Sequence, residues 1–159
     1  MIRMIERRRL NLPAGAVTPL VLDWSRDPEW RSAVTAMEVD PAGPARPGQR
    51  IRETLRFAGL RFVTPTTITA ADALSASFSG GGTTVRVRGR RTVVPEPDGC
   101  TVVLELDVRT AGLLAGLTPL LAPSYRRRFT AEADALVALV APTQVTSSSV
   151  GSAESTSQA

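Results

Sequence analysis

Residues 100–141, CTVVLELDVRTAGLLAGLTPLLAPSYRRRFTAEADALVALVA, hold two periodicities in succession. Up to Thr110 the side chains alternate. Val102, Leu104 and Leu106 point inward while Glu105, Asp107 and Arg109 point outward, which predicts a strand with one buried face. From Gly112 the apolar residues recur at helical spacing, with Leu121, Tyr125, Phe129, Ala133, Leu136 and Val140 near one stripe. Pro119 and Pro123 predict a broken first part before a regular helix from about Ser124 to Ala141. One long amphipathic helix needs a sheet face on which to bury its stripe, and the upstream chain has to supply that face.

The upstream chain reads as strands joined by short turns. VTAMEVD (34–40) leads into the proline- and glycine-rich loop PAGPARPGQ, and RIRETLRFAGLRFVTPTTITA (50–70) forms two strands joined at Ala58-Gly59. ALSASFS (73–79), a glycine turn and TTVRVRGRRTVV (83–94) form another hairpin, and EPDG turns the chain into the strand at Cys100. An extended, arginine-rich segment from Ile2 to Leu12 comes first. Two short helices follow, roughly Pro13–Leu22 and Pro28–Ala33, the second with Asp27 as its N-cap. The order strand, two short helices, about six strands, long helix predicts an α+β helix-grip fold. In it a curved antiparallel β-sheet wraps around a long C-terminal helix, with the short helices after strand 1 closing one end. Residues 1–141 form a single domain, and the Ser-rich residues 142–159 read as a disordered tail.

Composition narrows the chemistry. The 159 residues contain 19 arginines, no lysine, no histidine and one cysteine, with a net charge of +4. Without histidine there is no Ser-His-Asp triad and no histidine metal site, and a lone Cys100 forms no intrachain disulfide. No metal or cofactor is expected: SGGGTT lacks the spacing of a phosphate loop, and the carboxylates are scattered. The arginine clusters 7–9, 86–91 and 126–128 are not interleaved with aromatics, so they read as solvated surface and not as a nucleic-acid face. No segment has the length and apolarity of a membrane span, and a cytoplasmic protein without membrane insertion, monomer or homodimer, is expected.

LPAGAVTPLVLDW (12–24), DPEW (27–30), RPGQRIRETLRFAG (46–59) with Gly48 and Glu53, DGCTVVLELDV (98–108) and GLLAGLTPLLAPSYRRRF (112–129) occur in this order. With them the chain resembles the SRPBCC or START-like superfamily, which includes polyketide cyclases/dehydrases and lipid-transport proteins. The resemblance covers roughly residues 2–141. It implies a hydrophobic cavity between the sheet and the long helix, a hydrophobic small-molecule partner, and no universal catalytic set.

Strand parity names the lining. Glu53 shares its side with Ile51, Leu55 and Phe57, and Phe62 and Phe78 face the same interior as Leu104. Trp30, Leu55, Phe57, Phe62, Phe78, Leu104, Leu121 and Phe129 are the candidate ligand-binding residues. Arg91 falls on the side of Val85 and Val87 unless Gly89 marks a bulge that returns it to solvent, and both registers fit the residues beyond. If inward, Arg91 needs a buried carboxylate. Glu53 is the first candidate and Glu6 a weaker one. Such a pair is either a structural ion bridge or, with Tyr125, the catalytic group of a cofactor-free cyclase, aromatase or dehydratase of the lyase type found in natural-product biosynthesis. The other functions in view are passive carriage of a lipid or hydrophobic metabolite, and an arginine-rich interaction module.

Overall fold

In a computed structural model, the chain is described at residues 1–57, 59–111, 116 and 118–147, with backbone only at 57 and 141–147. Seven strands form one antiparallel sheet: β1 (Ile2–Leu10), β2 (Val34–Asp40), β3 (Arg50–Phe57), β4 (Leu60–Ala71), β5 (Ser75–Gly81), β6 (Val85–Glu96) and β7 (Gly99–Thr110). The spatial order is β1-β7-β6-β5-β4-β3-β2. β1 and β2 are therefore opposite edges, and the chain between them must cross the concave face. It does so through helix α1 (Ala14–Val21) and a 3-10 helix (Trp24–Glu29). Helix α2 (Thr118–Ser147) lies in the same concavity. The α+β helix-grip architecture expected from the alternation of periods is thus the one observed.

The core follows strand parity. Ile51, Ile68, Ala76, Val93, Val102 and Leu104 from successive strands are buried against Val17, Leu20 and Val21 of α1 and against Ala133 and Leu136 of α2. Their outward neighbours are mostly polar, arginines beside Ile51 and serines or threonines beside Ile68 and Ala76, as on an antiparallel sheet with one wet face.

Three expectations need correction. The first concerns Gly89, which marks no bulge. β6 pairs residue for residue with β5 from Thr92 to Arg86 and with β7 along its whole length, without a register shift. Glycine is required there because Phe78, directly across on β5, lays its ring over the position. A Cβ on Gly89 would meet ring carbons at 2.7 and 2.9 Å and the Glu105 carbonyl oxygen at 2.3 Å. The second concerns the long helix, which is not broken before Ser124. α2 runs continuously from Thr118, since Pro119 sits in the first turn, where its missing N–H has no intrahelical partner anyway. It also continues to Ser147, into the segment read as a tail, while 148–159 lie outside the described residues.

The third correction bears on the site. DPEW does not start an α-helix with Asp27 as its cap. The cap is Asp23, whose carboxylate accepts from the Ser25 N–H, and Asp27 lies inside the 3-10 helix. With three residues per turn, positions three apart eclipse. Trp24, Asp27 and Trp30 therefore share one face, and all three are buried.

Candidate functional site

That face meets Arg91. With no bulge at Gly89, Arg91 stays on the side of Val87 and Val93 and is buried. Its guanidinium lies 4.1 Å from the Trp24 ring and 5.2 Å from the Trp30 ring, held between two indole faces. One terminal nitrogen donates to Asp27 Oδ1 at 2.7 Å and to the Val21 carbonyl at 3.0 Å, and the other donates to Asp27 Oδ2 at 2.5 Å. The partner of Arg91 is therefore Asp27, not Glu53, and not Glu6, which accepts instead from Arg8 and the Thr130 hydroxyl. Asp27 is fully buried, so the fork-to-fork geometry compensates two charges that would otherwise be very costly.

Glu53 has a partner that sequence reasoning missed. Arg31, one residue past Trp30, donates to Glu53 at 2.6 and 3.3 Å, to Asp27 Oδ2 at 2.8 Å and to Glu132 at 3.0 Å. Glu132 in turn accepts from Arg128, one helical turn earlier on α2, at 3.0 Å. The result is one connected network in which three arginines (31, 91, 128) meet three carboxylates (27, 53, 132). It ties the 3-10 helix, β3, β6 and α2 together. Burial alone would lower the Arg31 pKa, but the charges of Glu53, Glu132 and Asp27 outweigh it and hold the guanidinium protonated. Two signals for these residues exist in the sequence: Asp27–Arg31 and Arg128–Glu132 both have the i, i+4 spacing of helical ion pairs.

The network forms one end of a cavity of about 130 Å³ between the sheet and α2. Trp30, Arg31, Glu53, Arg91, Arg128 and Glu132 line that end. The remaining wall is mostly apolar or weakly polar, with Leu55, Phe62, Thr64 and Thr66 from β3 and β4, Phe78 from β5, Val85 and Val87 from β6, Leu104 and Val108 from β7, and Phe129 from α2, and it is bordered by the cross-strand partners Arg90 and Glu105. Phe78 also packs edge-on against Trp24, with centroids 5.7 Å apart. Tyr125 lines the cavity from α2, and burial raises its phenol above the ordinary value of 10, so it stays a neutral donor. Of the expected lining residues, the cavity brings together Glu53, Arg91, Tyr125, Trp30, Leu55, Phe62, Phe78, Leu104 and Phe129. Leu121 does not reach it, because it lies a full turn before Tyr125 on α2, and the Phe57 side chain is outside the described residues. Cys100 is buried away from the cavity, where burial raises its thiol pKa.

With this geometry in hand, the comparisons with known proteins agree on the architecture. The family model described as "Polyketide cyclase / dehydrase and lipid transport" matches residues 1–141. No curated protein matches the chain. Among solved structures, a START superfamily protein from Mycobacterium smegmatis superimposes with a TM-score of 0.72 at 18% identity, covering 90% of this chain and 99% of that one. A protein of Thermus thermophilus gives 0.72 at 21% identity, with 89% and 98% covered. An aromatase/cyclase from Streptomyces sp. R1128 gives 0.71 at 15% identity, with 95% and 98% covered. At these identities the likeness is one of fold.

Proposed function

Because the chain belongs to the polyketide cyclase/dehydrase and lipid-transport family, we propose that it binds a small, neutral, largely apolar molecule in the cavity, with a carbonyl or hydroxyl end turned toward the ion network. The observation that carries this reading is the balance of that network: three arginines are matched by three carboxylates, and Arg91 spends both terminal nitrogens on Asp27. An additional ionic group would enter a low-dielectric space with no unmatched partner, at a cost of several kcal/mol. A neutral acceptor can still take a hydrogen bond. The volume, about 130 Å³, is close to the ~150 Å³ engineered cavity that holds benzene, so single-ring molecules fit without any movement of the walls.

A second reading, cofactor-free cyclisation or dehydration, is favoured by one observation: Glu53 and Tyr125 line the same cavity. There Glu53 would take a proton from the carbon next to a carbonyl, and the neutral Tyr125 phenol would donate to the oxygen. Binding is the stronger reading, since both carboxylate oxygens of Glu53 already accept from Arg31, at 2.6 and 3.3 Å.

The two tryptophans of the chain both flank Arg91, so intrinsic fluorescence reports on the site directly. Titration with acetophenone and cyclohexanone should give a saturable change, titration with hexanoate none, and a Thr64→Phe variant that fills the cavity should lose the response. Equal response to hexanoate, or a response surviving Thr64→Phe, sinks the binding reading. Conversion of an added polyketone to an isomer or dehydrated product by the wild type but not by Glu53→Gln would establish the second.

A further inference from the structure

The antiparallel topology gathers one set of chain segments at a single end of the sheet: the β3–β4 and β5–β6 hairpins, the end of β7, the start of β1 and, through the Thr110–Thr118 hydroxyl contact, the start of α2. Three elements there present large apolar side chains to solvent: Met1 before β1 is 63% exposed, Leu60 at the β3–β4 hairpin is 62% exposed and Leu120 in the first turn of α2 is 77% exposed. Around them stand exposed arginines, namely Arg3, Arg56, Arg61, Arg86, Arg88 and Arg109. Among the described strand and hairpin residues at this end, the one exposed-face carboxylate is Asp107, already taken by Arg88 at 3.0 Å and Arg3 at 3.8 Å. The opposite end is mixed in charge: Asp40, Asp72, Glu96 and Asp98 at its strand ends and turns stand beside exposed Arg9, Arg46 and Arg50, with Asp40 paired to Arg50 and Glu96 to Arg9.

Arg86 and Arg109 are direct cross-strand partners, an arrangement that is unfavourable without an anion between or above them. They line a recess of about 490 Å³ together with Ser79, Gly80, Gly81 and Gly82, small enough in side chain to leave room for a phosphate group, and with Arg88 and Asp107, whose carboxylate is matched by Arg88 and Arg3. Exposed leucines at an end where arginines outnumber carboxylates, while charges at the far end are balanced, match a surface that is anionic outside and apolar beneath. We propose that this end of the molecule docks peripherally on an anionic lipid bilayer, with Leu60 and Leu120 entering the headgroup boundary and the Arg86–Arg109 recess seating a lipid phosphate. An acidic protein partner would use the arginines but has no need of the two leucines. The docking is superficial: no helix among the described residues is long and apolar enough to cross a membrane. Leu55, Phe62, Val85 and Tyr125, which line the cavity, belong to the same half of the molecule, so docking would bring the cavity toward the lipid. The proposal goes beyond the cavity reading and stands without it.

The test is co-sedimentation of the full chain with vesicles of phosphatidylcholine, with and without phosphatidylglycerol, at low and high salt. Binding should be about tenfold or more stronger on the anionic vesicles at low salt and weaken as salt rises. Leu60→Ser with Leu120→Ser, and separately Arg86→Gln with Arg109→Gln, should each lower it about tenfold. None of these four residues lines the cavity, so the ligand response should stay at wild type and the thermal midpoint should not fall below it. Arg46→Gln, outside this end, should leave vesicle binding unchanged. Absence of any preference for anionic vesicles overturns the proposal. So does salt-sensitive binding that ignores the leucine substitutions, which would point to an acidic protein as the partner of the arginines.

Discussion

Arg90 and Arg91 are consecutive on β6 and identical in chemistry, yet they belong to different worlds. Arg91 faces the concave side, is 6% exposed, and is held by both oxygens of Asp27 and by two indole faces. Arg90 faces the convex side, is exposed, and donates to the Ser75 hydroxyl. The same contrast holds for the sheet as a whole: its concave arginines, Arg8 and Arg91, are held in part-buried or buried carboxylate pairs, while convex ones such as Arg9, Arg50 and Arg88 stand mostly in water. A count of arginines therefore says little about this protein, and the parity of each position says a great deal. Inside, a charge is costly to strand. Outside, solvent screens it.

The largest expected effect lies inside. Arg91→Met leaves the fully buried Asp27 with only Arg31 and should cost ~3–5 kcal/mol, lowering the thermal midpoint by about 10 °C. Adding Asp27→Leu removes the stranded carboxylate while Arg31 keeps Glu53 and Glu132, so the double variant should be more stable than the single one. Thermal unfolding of both decides it. If Arg91→Met unfolds like the wild type, the buried pair is not what fastens the 3-10 helix to the sheet.

A middle-sized effect tests the register that puts Arg91 inside. Gly89→Ala introduces a methyl where the Phe78 ring and the Glu105 carbonyl already sit, and should cost ~1–3 kcal/mol in denaturant unfolding. The displaced ring would also leave its edge-on contact with Trp24, so tryptophan emission should change in the folded state. A stable Gly89→Ala protein with unaltered emission would mean that the ring has room to spare over β6.

How much of this is legible in the residues alone differs between the two faces. The change from alternation to helical spacing near Gly112 is sufficient to read the sheet-plus-helix architecture, because burial of one face imposes those periods directly on the residues. The inward side of Arg91 can be read from alternation, given an unbroken strand. The glycine leaves two registers open, because the reason for it, a phenylalanine on the neighbouring strand, is a contact across the sheet that no local pattern contains. The partner of Arg91 escapes for a different reason. Asp-Pro resembles the start of an α-helix so closely that Asp27 reads as a surface cap. The spacing of three that links Trp24, Asp27 and Trp30 is the signature of a 3-10 helix with one buried face, and it is there to be read. Arg31 has only its i, i+4 relation to Asp27, and nothing local brings Glu53 or Glu132 to it.

The smallest effect belongs to the convex face. Arg88 is two-thirds exposed on its side chain and pairs with Asp107 across the sheet. Arg88→Ala should change stability by no more than ~1 kcal/mol, and added salt should erase the difference from wild type. Its value lies in comparison with Arg91→Met, made on the same strand three residues away. If Arg88→Ala destabilised as much, the convex arginines would be structural members like the concave ones, and a face whose charges hold the fold together has few left to offer an anionic surface. A negligible loss leaves these side chains free of structural duty, the condition under which arginines gathered around two exposed leucines call for a partner outside the chain.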